Sequence, residues 1–168
     1  MRDALAGTGA LIRLAMRRDR WLVPAWILGL ALMAGFSAAA TADLYPDAAE
    51  RARAAEVINA TPSLVALYGR IYDPTSLGAL SLIKLTAFGV AMVAILMAVV
   101  TVRHTRAEEA EDRLELLAAG TVGRDAPLAA ALAVTFGASI VLGLATAVAL
   151  VLAGLPVTGS LAFGLSWT

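Results

Sequence analysis

Trp21 to Ala42 reads WLVPAWILGLALMAGFSAAATA, 22 residues without one charged side chain. As a helix it is about 33 Å long, enough to cross a hydrocarbon core of about 30 Å. Leu85 to Val102 gives a second uncharged run of 18 residues, and from Ala126 to Thr168 there is no ionisable side chain at all. That last run is too long for one crossing. Gly154-Leu155-Pro156 breaks it, because proline lacks the N–H and the φ freedom that an uninterrupted helix needs. Hydrophobic residues make up 60% of the chain and charged ones 15%, a balance foreign to a soluble domain of 168 residues.

Lipid offers no partner to backbone N–H and C=O groups, so only helices and closed barrels span it. Continuous apolar runs lack the alternation of barrel strands. The expected fold is therefore all-α and polytopic, with three complete transmembrane helices and the start of a fourth, in a fragment of a longer chain. The expected segments are an interfacial helix at 1–20, a transmembrane helix at 21–42, a loop with short helices at 43–84, a transmembrane helix at 85–102, a polar loop at 103–125, a transmembrane helix at 126–155 and the start of another at 156–168.

Arginine density orients the spans. The first 20 residues carry Arg2, Arg13, Arg17, Arg18 and Arg20, and the 103–125 loop carries four arginines, whereas the longer 43–84 loop carries four basic residues in all. Basic loops stay on the cytoplasmic side, which puts the amino terminus and the 103–125 loop in the cytoplasm. Trp21 and Trp26 then fall at the inner interface and Tyr45 near the outer one. A cleaved signal peptide is the rival reading of the first run, since Ala40-Thr41-Ala42 has the A-x-A pattern. A 22-residue run is too long for its apolar region, however, and the arginines lie well inside the chain.

Ahead of the first span, Leu5, Gly9, Ile12 and Met16 recur at helical spacing while Arg13, Arg17 and Arg20 lie on another face. This pattern fits a helix lying on the inner leaflet among membrane lipids, or equally a merely positive flank. In the 43–84 loop, helix-forming residues at about 47–60 precede Pro62 and Pro74. Asn59-Ala60-Thr61 matches a glycosylation acceptor but is followed by Pro62 in an arginine-rich, lysine-poor chain of bacterial character, and is discounted. Small residues at four-residue spacing, Ala31, Gly35 and Ala39 in the first span and Ala133 with Gly137 and Ser139 with Gly143 and Ala147 in the third, mark close helix packing, within one chain or against a second copy.

Absences exclude much chemistry. The only lysine, Lys84, stands between Ile83 and Leu85, so no G-K-[ST] phosphate loop exists. One histidine, His104, and no cysteine leave no zinc site and no Cys/His nucleophile pair. The spans hold no Asp or Glu, which argues against a proton or sodium relay. No catalytic, cofactor or metal residues are expected, and nothing points to nucleic acid.

The polar loop Arg103 to Asp125 reads RHTRAEEAEDRLELLAAGTVGRD. Thr105 with Glu108 forms a capping-box pattern and Gly120 a stop, which predicts a separate helix of about 14 residues. On it Glu108, Glu111, Asp112 and Glu115 share one face. Arg106, Ala110, Arg113, Leu114 and Leu117 share a mixed basic and apolar face suited to docking a protein.

Leu114 to Arg124, LELLAAGTVGR, preceded by Glu108, Glu109 and Glu111, resembles the cytoplasmic loop of type-2 ABC exporter permeases, in which acidic residues precede Gly-Thr-Leu-Glu-x-Leu-Leu and then Pro-Val-Ser and a basic residue. Asp112-Arg113 replaces Gly-Thr here, and Thr121 replaces Pro. Leu11 to Leu14, Arg17 to Arg20, Leu44-Tyr45-Pro46, Leu67-Tyr68-Gly69 and Val102 to Arg106 are similar to the N-terminal part of actinobacterial polyketide-antibiotic and multidrug exporter permeases. The resemblance implies a permease subunit in the bacterial plasma membrane that moves an amphiphilic or apolar, antibiotic-like compound outward. It also implies a separate cytosolic ATPase that binds ATP, with a second permease copy or half as a further partner. Carried over, Leu114, Glu115 and Leu117 form the core that docks on the ATPase, and Glu108, Glu109 and Arg113 its rim. A membrane anchor that recruits a cytosolic partner without transporting anything is the alternative.

Overall fold

The computed structural model describes residues 4–109, 123 and 125–168. Among them are seven α-helices and no strand: α1 (Thr8–Arg18), α2 (Leu22–Leu44), α3 (Ala48–Ala60), α4 (Pro62–Tyr68), α5 (Leu77–Glu109), α6 (Ala126–Leu152) and α7 (Val157–Ser166). Three are long and apolar enough to cross a membrane, namely α2, the Leu77–Arg103 stretch of α5, and α6. The chain is an all-helical, multi-pass membrane protein.

Local chemistry sets the helix ends. Pro24 sits in the first turn of α2, where the helix needs no N–H from it. Pro46 follows the end of α2 and disfavours helical geometry at Tyr45. Asp47 caps α3, its carboxylate accepting from the Ala49 N–H at 3.3 Å. Pro62 opens α4 at a first-turn position. At the end of α6 the Leu155 N–H reaches the Leu150 carbonyl at 3.1 Å and the Gly154 N–H reaches Val151 at 3.0 Å. These two bonds make a Schellman closure. It requires a left-handed residue, and Gly154 supplies it at φ 89. Leu155 is buried beneath the turn, and Pro156 follows it as the N-cap of α7.

The packing divides the chain into two compact units, Met1–Trp26 with Ala94–Ile140, and Ile27–Val93 with Val141–Thr168. In the second, α2 turns Ile27, Leu30, Ala31, Ala34 and Ala38 inward. Gly35 lies at the edge of this stripe, where an added Cβ would stand 3.3 Å from the Cβ and carbonyl of Ala149. The 31–35–39 stripe expected from the sequence is thus rotated, with Ala39 only half-buried. α6 and α7 form a hairpin so close that an added Cβ at Gly164 would strike the Gly143 carbonyl, and one at Gly143 would stand 2.6 Å from the Gly164 carbonyl. Lipid gives apolar side chains no reason to hide from it, so this contact rests on dispersion between closely approaching backbones. Trp167 is buried against Gly89 and tilts on Phe163, ring centroids 5.1 Å apart.

The 45–76 segment shares a small core with the start of α5, in which Ala55, Ile71, Leu80 and Ile83 are buried together and flanked by Tyr45, Ile58 and Tyr68. Arg51 ties it down: Nε donates to the Thr75 carbonyl at 2.8 Å, and Nη1 donates to the Tyr45 and Pro46 carbonyls at 2.9 Å each. Asn59 pairs with the backbone of Ile71 in both directions, Nδ2 donating to its carbonyl and Oδ1 accepting from its N–H, each at 2.9 Å. Hydrogen bonds from the Thr75 hydroxyl and amide hold the Asp73 carboxyl below the usual aspartate range.

Candidate functional site around the polar loop

α5 runs without a break from Leu77 through Glu109. Thr105 therefore lies inside a helix, and the separate helix expected to begin there does not: the capping-box residues continue the second span. The reason is that Arg103 to Glu109 holds neither Gly nor Pro, and helix already formed propagates readily through such residues. Glu108 and Glu109, expected at the rim of a docking surface, lie in α5 as the last of its described residues. Arg113, Leu114, Glu115 and Leu117 lie outside the described residues.

What the structure describes is how the flanks of this loop are held. On the entry side, the Asp19 carboxylate meets the Arg103 guanidinium, Oδ1 to Nη2, at 3.1 Å. Asp19 is 2% exposed and Arg103 37%. The Asp19 N–H also closes α1 on the Ala15 carbonyl at 3.0 Å. The pair thus joins the turn between α1 and α2 to the polar end of α5. The carboxylate is the buried member, so taking the guanidinium from it costs more than taking the carboxylate from the half-exposed arginine.

On the exit side, the Gly123 N–H donates to the Ala6 carbonyl at 2.9 Å and the Asp125 N–H to the Ala4 carbonyl at 3.1 Å. The two bonds run in opposite chain directions, Gly123 to Ala6 and Asp125 to Ala4, as in an antiparallel pairing. The Asp125 carbonyl then accepts from the Ala129 N–H at 3.0 Å as α6 begins, with Pro127 in its first turn. Further along the same unit, the Thr101 and Thr135 hydroxyls of α5 and α6 meet at 3.4 Å.

α1 is thereby tied to both flanks of the loop. Its packed residue is Ala15, while Leu14 and Met16 stay exposed beside the exposed Arg13, Arg17 and Arg18. Arg20 stands over the Trp21 ring, 5.9 Å from its centroid. Such a helix presents apolar and cationic groups together, as an interfacial helix does. The sequence reading passed over Asp19. Its signal was there: an acid between Arg18 and Arg20, directly before an apolar run, on a flank that should be uniformly basic.

A family model described as "Multidrug efflux system permease Rv1217c, C-terminal domain" matches residues 9–166. The multidrug efflux system permease protein Rv1217c of Mycobacterium tuberculosis (strain ATCC 25618 / H37Rv) is 41% identical over 165 residues, an alignment that covers 98% of this chain and 30% of that protein. The chain thus spans about a third of the length of this relative. The matching family model is a C-terminal domain, where the motif resemblance had pointed to the N-terminal part of a permease. With nearly every residue matched by the model and two in five identical to the relative, the chain belongs to the family of Rv1217c multidrug efflux permeases.

Proposed function

We propose that this chain is part of the permease subunit of an ATP-driven ABC exporter that moves amphiphilic or apolar, drug-like compounds out of a bacterial cell. In this reading the amino terminus and the 103–125 loop face the cytoplasm. ATP is hydrolysed on a separate cytosolic subunit, and Glu108, Glu109, Arg113, Leu114, Glu115 and Leu117 carry its docking surface. The observation that carries the reading is the double tether of α1 to the flanks of the loop, through Asp19–Arg103 and through the Ala4 and Ala6 carbonyls. A docking loop transmits force only when its ends are attached to elements that move as bodies, and short helices fixed at both flanks meet that need. The 41% identity to a multidrug efflux permease adds support.

Glu115→Arg in the complete permease tests it, since reversing the charge at the centre of the docking core acts on the partner and not on the spans. Export and co-purification of the ATPase should both be lost, with the amount of permease in the membrane unchanged. Normal export by this variant, with the ATPase still attached, would sink the coupling role.

A further inference from the structure

Lys84 is a charge inside a membrane-length helix. It lies within the Leu77–Arg103 stretch, and its neighbours Ile83 and Leu85 are buried while Lys84 itself is exposed. It lines a cavity of about 660 Å3 formed by the end of α2, by α3 and by the start of α5. Cavities that hold small ligands run to about 300–1,000 Å3, so this one is large enough. A charge within a stretch of membrane-spanning composition is usually compensated by a partner or serves a ligand. Among the described residues Lys84 makes no ion pair and no hydrogen bond.

The chemistry of the wall selects the ligand. Three hydroxyls face the cavity, but their protons are engaged: Ser37 donates to the Ser81 carbonyl at 2.9 Å, Thr41 to the Ser37 carbonyl at 2.7 Å and Ser81 to the Gly78 carbonyl at 3.3 Å. The remaining donors are the Lys84 ammonium, the Arg53 guanidinium and the Tyr45 hydroxyl. Arg53 contrasts with Arg51 two residues earlier, whose guanidinium is occupied by three carbonyls. Glu50 also reaches the cavity, which leaves it positive by one charge. Leu44, Val57, Ile58 and Leu80 supply an apolar wall.

We propose that this cavity binds an amphiphile with an anionic head, a phosphate or a carboxylate, set against Lys84 and Arg53, with its apolar part along Leu44, Val57, Ile58 and Leu80. Paired cations bind such oxyanions through charge-assisted hydrogen bonds, which are shorter and stronger than neutral ones. The proposal does not rest on ATP coupling, because binding is read without export.

The test uses the complete permease in nanodiscs of phosphatidylcholine, with photoactivatable phosphatidylglycerol, palmitate or phosphatidylcholine as the probe and mass spectrometry to locate the label. Phosphatidylglycerol or palmitate should label peptides that contain residues 37–58 and 77–84. The probe that labels at the lower concentration identifies the source as a bilayer lipid or a single-chain acid. Lys84→Gln and Arg53→Gln should each raise the half-saturating concentration roughly tenfold, while Lys84→Arg retains binding. Arg53 lies outside the spans, so its variant keeps the test open should Lys84→Gln fail to fold. Equal labelling by phosphatidylcholine, or unchanged labelling in both glutamine variants, overturns the proposal.

Discussion

Asn59 holds the chain together after α4 with one side chain. Its amide pairs with both backbone groups of Ile71, which is itself buried in the small core with Ala55, Leu80 and Ile83. Loss of the amide leaves a buried N–H and a buried carbonyl without their partner, which costs about 2 kcal/mol. Asn59→Ala is therefore expected to lower the stability of the 45–76 segment by that amount and to speed hydrogen exchange at the Ile71 amide. An Ile71 amide protected as in the parent would show that the pairing carries no weight. The sequence marks this asparagine only as part of Asn-Ala-Thr, a pattern that speaks of glycosylation and says nothing of a backbone partner beyond α4. Lys84 was similarly hidden, because a charge that ends an uncharged run says nothing of the cavity that it lines.

Elements come together through glycine where α6 meets α7. Gly143 and Gly164 bring two backbones into contact, and Gly159 on α7 has open space around it. Gly164→Ala should destabilise the hairpin by about 1–3 kcal/mol through overpacking, whereas Gly159→Ala should be neutral or slightly stabilising, since alanine favours helix over glycine. Thermal unfolding of the two variants in detergent checks this, and equal effects would refute the close approach. The third span's Ser139, Gly143 and Ala147 spacing marked close packing without naming the partner, and two of the three, Gly143 and Ala147, do meet Gly164. In the first span the same spacing found Ala31, which is buried, and Gly35, which meets Ala149, but not Ala34 and Ala38, which are buried completely. An alanine-rich helix carries several small-residue stripes at once, and only the partner helix decides which of them is buried.

At the scale of the whole molecule, the three spans and the all-helical class were legible because lipid imposes its demand on each run separately, through composition and length alone. The polar loop was less so. A capping box is a pattern of four residues and cannot tell whether the helix before it has ended, so Thr105 was read as a beginning when α5 passes straight through it. The Asp19–Arg103 pair was out of reach for another reason, since pairing of residues so far apart in sequence leaves no local trace. Its burial is lopsided, and that makes a prediction. Arg103→Gln leaves a 2% exposed carboxylate without its guanidinium, whereas Asp19→Asn leaves an arginine already 37% exposed, which can turn to water. The first variant should lose more stability than the second, with the double variant recovering part of the loss. Equal losses in a double-mutant cycle of unfolding would show that the pair is not buried as described.

The same pair also has a history in time. Arg103 is added about 80 residues after Asp19, and ribosomes add roughly 5–20 residues per second, so Asp19 exists for several seconds before its guanidinium does. During that interval α1 lacks this guanidinium, and its flank lacks the Gly123 and Asp125 amides, which are made later still. The attachment of the amino-terminal helix to both flanks of the loop can therefore close only once the chain has been made through Asp125.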